Sequence, residues 1–394
     1  MVNKDLLTTA IQSFITKNVG NDIAKLALLK NPFPAMDWIE MLNQIAAKTK
    51  AKDKLPTFFE TENIIYPSKI SLEQTSSEKT AAYKSTLVSG ENLIDLSGGF
   101  GVDDLYFSKR IKQVIHCEIN PELSEIVKHN FECLEATNIK CLTGDSLAIL
   151  KSLNQKFDWL YIDPSRRNEV KGKVFILKDC MPNVPELLPT YFFHADNILI
   201  KTAPILDISA GLLELSNVKC IQIIAVDNEV KELLWELSKG YIGNCTIKTI
   251  NISKENSMAF DFELSKNYAS VCYSLPKKYL FEPNSAIMKS GGFDAISVRY
   301  NIDKLHPHSH LYTADTVIDF PGRIFEIQNV IPYNKTEMKQ LLENKKANLT
   351  TRNFPDRVEI IRKKWKIKEG GDTYCFFTTD KNNHKIVLIC SKIK

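Results

Sequence analysis

The chain has 394 residues, 44% of them apolar and 25% charged, a balance that suits two to four folded units with sizeable cores and excludes a disordered or low-complexity protein. No stretch approaches the roughly 20 consecutive apolar residues of a membrane helix, and the opening MVNKDLLTTAIQSF lacks the regions of a signal peptide. Nine cysteines without a CxxC pair argue against a disulfide framework or a zinc ribbon, so a cytoplasmic protein with reduced thiols and no membrane partner is expected.

Over residues 1–72, LLTTAIQSFI and WIEMLNQIAAK carry apolar side chains at helical spacing on either side of NPFPAMDW, predicting a small helical region. SSEKTAAYKSTL then has the caps and the period of a helix. From residue 92 apolar runs alternate with helical stretches. NLIDLS is followed by a helix near Asp103–Lys109, QVIHCE by the helix PELSEIVKHNFECLE, and IKCLTG by a short helix from Asp145. FDWLYID, a helix near Val184–Tyr191, NILIKT and VKCIQIIAV continue the rhythm. Such alternation implies crossover connections and a doubly wound, Rossmann-like α/β sheet over residues 73–275, with ligands at the carboxyl ends of its strands.

Residues 276–321 break the rhythm with FEPNSAIMKSGGFDAIS and the extended HSHLYTADTVIDF. His306, His308 and His310 alternate there as if along one strand face, but Cys or acidic ligands are missing nearby, and no metal is assigned. Residues 322–394 read as a last α+β unit. RIFEIQNVI is a strand, Asn334 and Glu337 open a helix with a capping pattern, ANLTT is a strand, PDRVEIIRKKWK a helix, and two strands follow. Phe354, just before PDRVEIIRKKWK, and Val358, Ile361 and Trp365 within it form a core stripe that leaves Arg357, Lys363 and Lys364 facing outward. Between Lys335 and Lys368 eleven Lys or Arg stand against four Asp or Glu, an excess of 11 − 4 = +7 within a chain whose net charge is +4. Such a concentrated basic face points to a phosphate-rich partner.

The candidate chemistry lies at the strand ends. In DLSGGFG, Gly98, Gly99 and Gly101 let the backbone turn tightly against a ligand where the first strand meets its helix. The spacing is neither the GxGxxG of dinucleotide binders nor a P-loop, and Asp95 and Asp103 place carboxylates beside the turn, which suits a cationic ligand better than a pyrophosphate. Glu118 ends the second strand, where a carboxylate can accept both ribose hydroxyls, and Asp145 ends the third, where one can accept an adenine amino group. Asp163 ends the strand FDWLYID, and Arg166 and Arg167 of the PSRR that follows can grip a phosphate or carboxylate bidentately, or pair with a nearby acid. The Asp/Asn-Pro-Pro-aromatic pattern of enzymes that methylate exocyclic amines is not matched, because Ser165 and Arg166 stand in its place. Nor does a cysteine follow Asp163 closely enough for pyrimidine C5 chemistry.

DLSGGFGVD, CEINPE, GDS and YIDPSRR resemble the successive motifs of class I S-adenosylmethionine-dependent methyltransferases. With LPTFFE, LEQTSSEKTAAYK, FEPNSAI and the final unit, nearly the whole chain resembles one bacterial family that joins such a domain to a small ferredoxin-like domain and a C-terminal THUMP-like domain. The resemblance implies S-adenosyl-L-methionine as cofactor. Asp95, Ser97, Gly98, Gly99 and Gly101 would hold its methionine end, Glu118 the ribose, and Asp145 with Ser146 the adenine. Asp103 and Ile119 join this cofactor-binding set, while Asp163, Pro164, Arg166 and Arg167 would line the methyl-acceptor side. THUMP domains resemble RNA-binding modules of tRNA-modifying enzymes, so the implied substrate is structured RNA. The alternatives are a small-molecule methyltransferase and an RNA-binding protein that holds the cofactor without turning it over.

Overall fold

The computed structural model describes residues 3–67, 69–166, 176–254, 256–268 and 270–393. By contacts the chain divides into two compact units, Met1–Lys219 with Leu233–Gly243, and Cys220–Glu232 with Asn244–Lys394.

After a short 3-10 turn at Lys4–Leu7, the described residues of the first unit form the α-helices α1 (Thr9–Lys17), α2 (Ile23–Ala27), α3 (Trp38–Lys54), α4 (Pro56–Glu60), α5 (Lys69–Gln74) and α6 (Glu78–Ser85). The helix boundaries fall where residue chemistry requires them. Asp37 caps α3 through Ile39 N, Pro56 starts α4, and Ser77 caps α6 through Thr80 N. The parallel strands follow as β1 (Asn92–Asp95), β2 (Gln113–Glu118), β3 (Ile139–Thr143), β4 (Phe157–Ile162) and β5 (Ala195–Thr202). Between them lie α7 (Val102–Phe107), α8 (Pro121–Cys133), α9 (Ser146–Leu153) and α10 (Val184–His194). With β6 (Val218–Val226) lying mostly in the second unit, β7 (Glu229–Ser238) returns antiparallel against β5, from Thr202↔Leu233 to Asn197↔Ser238. Within the first unit the order is β7-β5-β4-β1-β2-β3. Strand succession reverses between β1 and β4, the position at which open α/β sheets hold their ligands. Phe58, Tyr66 and Ala81 of the helical region bury themselves with Phe100, Leu105, Val127 and Phe131, so the N-terminal helices brace the glycine turn and its flanking helices.

In the second unit β6 runs parallel to β8 (Thr246–Ile252), which forms a hairpin with β9 (Ser257–Glu263). A seven-stranded sheet follows. Its strands are β10 (Tyr279–Pro283), β11 (Asp303–Lys304), β12 (Tyr312–Ala314), β13 (Gly322–Pro332), β14 (Asn348–Arg352), β15 (Thr373–Thr379) and β16 (Lys385–Lys392), in the order β11-β12-β10-β13-β16-β15-β14. The segment before Gly322 and the segment after it thus share one sheet, through β10 and β13, and one core in which Leu280, Leu305 and Leu311 meet Phe325, Phe376 and Leu388. A segment as short as 276–321 buries little surface by itself, so a shared core stabilises it. Glu282, 3% exposed, ties the two parts together by accepting from Arg323 Nε at 2.7 Å and Arg352 Nη2 at 3.1 Å.

The histidine reading needs correction. His306, His308 and His310 lie in the turn between β11 and β12, not along a strand face. His306 is buried and bonded to Asn353 and Asn383, His308 is exposed, and His310 stacks on Phe293 with centroids 3.5 Å apart. Pro307 and the left-handed φ of His310 (+54°) break the extended run that alternation alone would predict. Among the described residues no His, Cys, Asp or Glu group forms a metal-binding cluster, and no helix is long and apolar enough to cross a membrane.

Candidate active site

Leaving β1, the chain must reverse into α7 within the six residues Leu96–Gly101. Gly99 (φ +58°) and Gly101 (φ +75°) adopt the left-handed backbone this requires. Gly98 is needed for space, since a Cβ there would stand 2.3 Å from His116 Cε1. At Gly99 an added Cβ would meet nothing nearer than Ser97 O at 3.6 Å, so the tip of the turn faces open space that a ligand can fill. Gly98 N anchors the turn by donating to Cys117 O on β2 at 3.0 Å.

Asp95 is buried, and its Oδ1 accepts from Ser97 N at 2.7 Å and Ser97 Oγ at 2.8 Å. Ser97 Oγ in turn accepts from Asp163 N at 2.7 Å, joining the ends of β1 and β4 where strand succession reverses. Beneath the turn, His116 Nδ1 lies 2.6 Å from Asp104 Oδ2, both groups fully buried. Burial, then the Asp104 charge, pushes Asp95 well above the usual carboxylate range, and burial depresses His116.

Asp103 meets Lys84 Nζ at 2.9 Å and accepts from Ser76 Oγ at 2.9 Å and Tyr161 Oη at 2.8 Å. Burial alone would raise its pKa, but the Lys84 and Lys201 charges and these hydrogen bonds outweigh it and hold Asp103 below its ordinary value. This explains LEQTSSEKTAAYK in physical terms. Ser76 and Lys84 clamp Asp103, while Glu78 accepts from Thr57 N (2.8 Å), Thr57 Oγ1 (2.7 Å) and Tyr106 Oη (2.8 Å), tying α4, α6 and α7 together. Asp95 and Asp103 therefore shape the turn from beneath it.

The strand-end acids are placed differently. Glu118 is half-buried and held by two backbone donors, Gly99 N to Oε2 at 3.0 Å and Asn120 N to Oε1 at 2.7 Å, which leaves each oxygen a lone pair for a further donor. Ile119 beside it is 71% exposed, an apolar surface at a strand end. Asp145 is exposed and caps α9 through Ala148 N at 2.8 Å, with Ser146 the first helical residue. Asp163 is half-buried, Pro164 buried and Ser165 exposed. The backbones of Ser165 and Arg166 form a two-residue ladder with Met181 and Cys180. Arg167 lies outside the described residues, as does the Arg166 side chain.

One residue escaped the sequence reading. Lys201, near the carboxyl end of β5, donates from Nζ to Asp163 Oδ2 and bears electrostatically on Asp103. The signal was the lysine inside the apolar strand NILIKT, one strand from β4. In the C-terminal unit, Asn334 caps α11 (Lys335–Leu341) through Glu337 N, and Ile361 and Trp365 of α12 (Val358–Trp365) are buried. Nine of the eleven basic residues between Lys335 and Lys368 are exposed. The other two are committed internally, Arg352 to Glu282 and Arg362 to the carbonyls of Ala347 and Ile367.

Comparison with curated proteins found no match in sequence. Two family models match: a ferredoxin-like domain over residues 279–321 and a THUMP domain-like family over residues 322–392. Among solved structures, a candidate methyltransferase from Porphyromonas gingivalis W83 is 30% identical with a TM-score of 0.89, the match covering 100% of both chains. An O-methyltransferase from Bacillus cereus in complex with SAH is 12% identical with a TM-score of 0.34, covering 49% of this chain and 97% of that one. TrmK from M. capricolum, in complex with S-adenosyl-homocysteine, is 16% identical with a TM-score of 0.33, covering 41% and 68%. With a doubly wound sheet ordered β7-β5-β4-β1-β2-β3 in one unit and the two matched domains in the other, the chain belongs to the bacterial family that joins a class I methyltransferase fold to a ferredoxin-like and a THUMP-like domain.

Proposed function

We propose that this protein is an S-adenosylmethionine-dependent methyltransferase acting on structured RNA in the cytoplasm. Residues 73–275 form its catalytic domain, 1–72 a supporting helical region, 276–321 a connecting domain and 322–394 an RNA-recruiting end. The observation that carries the reading is Glu118, held by Gly99 N and Asn120 N beside an open glycine turn, so that its free lone pairs suit a ribose diol. The donor chemistry fits the cofactor. Gly98 to Gly101 offer backbone to its methionine end, Ile119 an apolar face and Asp145 with Ser146 polar atoms to its adenine. When bound, S-adenosylmethionine supplies a methyl group that is already activated, so the chain's task is alignment and management of one proton. Asp163, fixed through Ser97 and Lys201, orients the acceptor.

Support for RNA comes from the nine exposed cations between Lys335 and Lys368 together with the THUMP domain-like match. Calorimetry with S-adenosylmethionine, S-adenosylhomocysteine and NAD tests the pocket. Incubation of labelled cofactor with unmodified transcripts of tRNA and ribosomal RNA tests the activity. Binding of NAD alone, or no label in any RNA, overturns the proposal.

A further inference from the structure

Resting on the reading of residues 322–394 as an RNA-recruiting end, we infer that Arg323 and Arg352, held together on Glu282, form a clamp for one phosphodiester of the RNA backbone. Three strands build it. Glu282 stands near the end of β10 directly opposite Arg323 near the start of β13, and Arg352 closes the edge strand β14. The Glu282 carboxylate is buried, with one oxygen accepting from Arg323 Nε at 2.7 Å and the other from Arg352 Nη2 at 3.1 Å. Arg323 Nη2 also meets Glu282, and the guanidinium carbon of Arg323 stands 5.4 Å from the centroid of the buried Phe325 ring, which holds the plane of the group.

Charge and hydrogen bonding both leave this cluster open to an anion. One carboxylate faces two guanidiniums, so a full positive charge remains, and a tie between strands needs only one of them. Among the described residues Glu282 is the only hydrogen-bond acceptor of either arginine, which leaves the Nη1 donors of both unused, and Arg352 Nε is buried without an acceptor. The arginine side chains are 39% and 32% exposed, so an incoming oxygen can reach them. The field beside the pair has the same sign. Burial, then the charges of Lys304, Arg352 and His308, lower His310 to about 4, with Asp294 acting the other way and already paired to Lys304 at 2.6 Å.

A phosphodiester suits two forks better than one point charge. Each of its two unesterified oxygens can take the edge of a planar guanidinium, and arginines already pinned on Glu282 have little side-chain freedom left to lose. Arg352 itself lies within the basic segment Lys335–Lys368, so a polyanion drawn to the exposed lysines of that segment brings its phosphates to the clamp.

The full chain is treated with phenylglyoxal, which modifies accessible guanidiniums, alone and with an unmodified tRNA transcript, inorganic phosphate or polyglutamate, and the arginine peptides are quantified by mass spectrometry. The transcript is expected to slow modification of Arg323 and Arg352 about fivefold or more, and to leave exposed Arg299, paired with Asp261, within about twofold. Equal rates with and without the transcript, or no modification in either state, overturn the clamp. Shielding by inorganic phosphate alone makes it a free-phosphate site and shielding by polyglutamate alone a protein contact, and either overturns the RNA assignment. In gel shifts Arg323→Lys and Arg352→Lys keep the charge and a donor for Glu282 but lose the fork, so each is expected to weaken tRNA binding about 5- to 20-fold, where a diffuse basic face predicts no change. Affinity within about twofold of wild type in both folded variants overturns the clamp, and where a variant fails to fold, modification of the wild-type chain decides. Transcript binding without shielding removes the clamp alone, and no transcript binding removes RNA recruitment with it. Shielding without transfer of labelled methyl keeps the clamp and removes the enzyme reading.

Discussion

Replacing Lys84 by methionine is expected to destabilise the first unit by about 3–5 kcal/mol, the range for breaking a buried ion pair by removing one partner. Lys84 is fully buried, pairs with Asp103 at 2.9 Å and donates to Ser76 Oγ at 2.7 Å. Without it, Asp103 keeps Ser76 Oγ and Tyr161 Oη as donors but loses the largest of the influences that hold its pKa down. The chain then has two choices of similar cost. Asp103 can stay ionised and unpaired, or it can take up a proton at pH 7, which from a reference pKa of about 3.9 costs about 4 kcal/mol at 1.36 kcal/mol per unit. Combining Lys84→Met with Asp103→Asn removes both charges and leaves an acceptor for Ser76 and Tyr161, so at least half the loss is expected to return. Guanidinium unfolding measures this, with the two-state fit restricted to the transition of the first unit because the chain forms two compact units. A loss under about 1 kcal/mol for Lys84→Met, below what any buried ion pair costs to break, refutes the reasoning, as does a double variant no more stable than the single one.

Further tests address cofactor, pH and RNA. Glu118→Ala is expected to weaken S-adenosylhomocysteine binding by about 10- to 100-fold, or about 1.4–2.8 kcal/mol. Glu118→Gln should be nearly as weak, because its amide would turn a donor toward Gly99 N–H or Asn120 N–H, and calorimetric affinity within threefold of wild type in either folded variant rejects the ribose contact. Burial, then the Lys304 and Arg352 charges, lowers His310 to about 4. Since an unfolded histidine titrates near 6.5, the unfolded chain binds more protons between those values, and stability is lost as pH falls through that window. His310→Asn, which tolerates the left-handed backbone, should remove part of that slope in urea midpoints from pH 7.5 to 4.5; a slope identical to wild type counts against it. Reversing exposed Lys363, Lys366 and Lys368 to glutamate should reduce RNA affinity in gel shifts and flatten its salt dependence, with cofactor affinity unchanged. Equal affinity for a tRNA transcript at two salt concentrations argues instead for a merely solvated face.

Local chemistry determined much of this protein by itself. Period, caps and strand-ending acids are short-range signals, which is why β1 to β5, the cap at Asn334, the buried stripe of Ile361 and Trp365 and the strand-end placing of Glu118 and Asp145 could be read directly. The resemblance in LEQTSSEKTAAYK could also be read, but not its meaning, because the partners of Ser76, Glu78 and Lys84 are Asp103, Thr57 and Tyr106, brought in by packing of helices distant in sequence. Tertiary structure likewise decided which of the acids near the turn lie beneath it, sending Asp95 and Asp103 into a buried network and leaving Glu118 half-open, since a sequence shows that a carboxylate is near a strand end but not whether it points below or above the turn. It placed the three histidines in a turn, where a proline and a left-handed residue overrule alternation, and it gave two of the eleven basic residues to internal partners. The pairing of Lys201 with Asp163 depends on β5 lying beside β4, an adjacency created by the crossover between them and carried by no local signal in either strand.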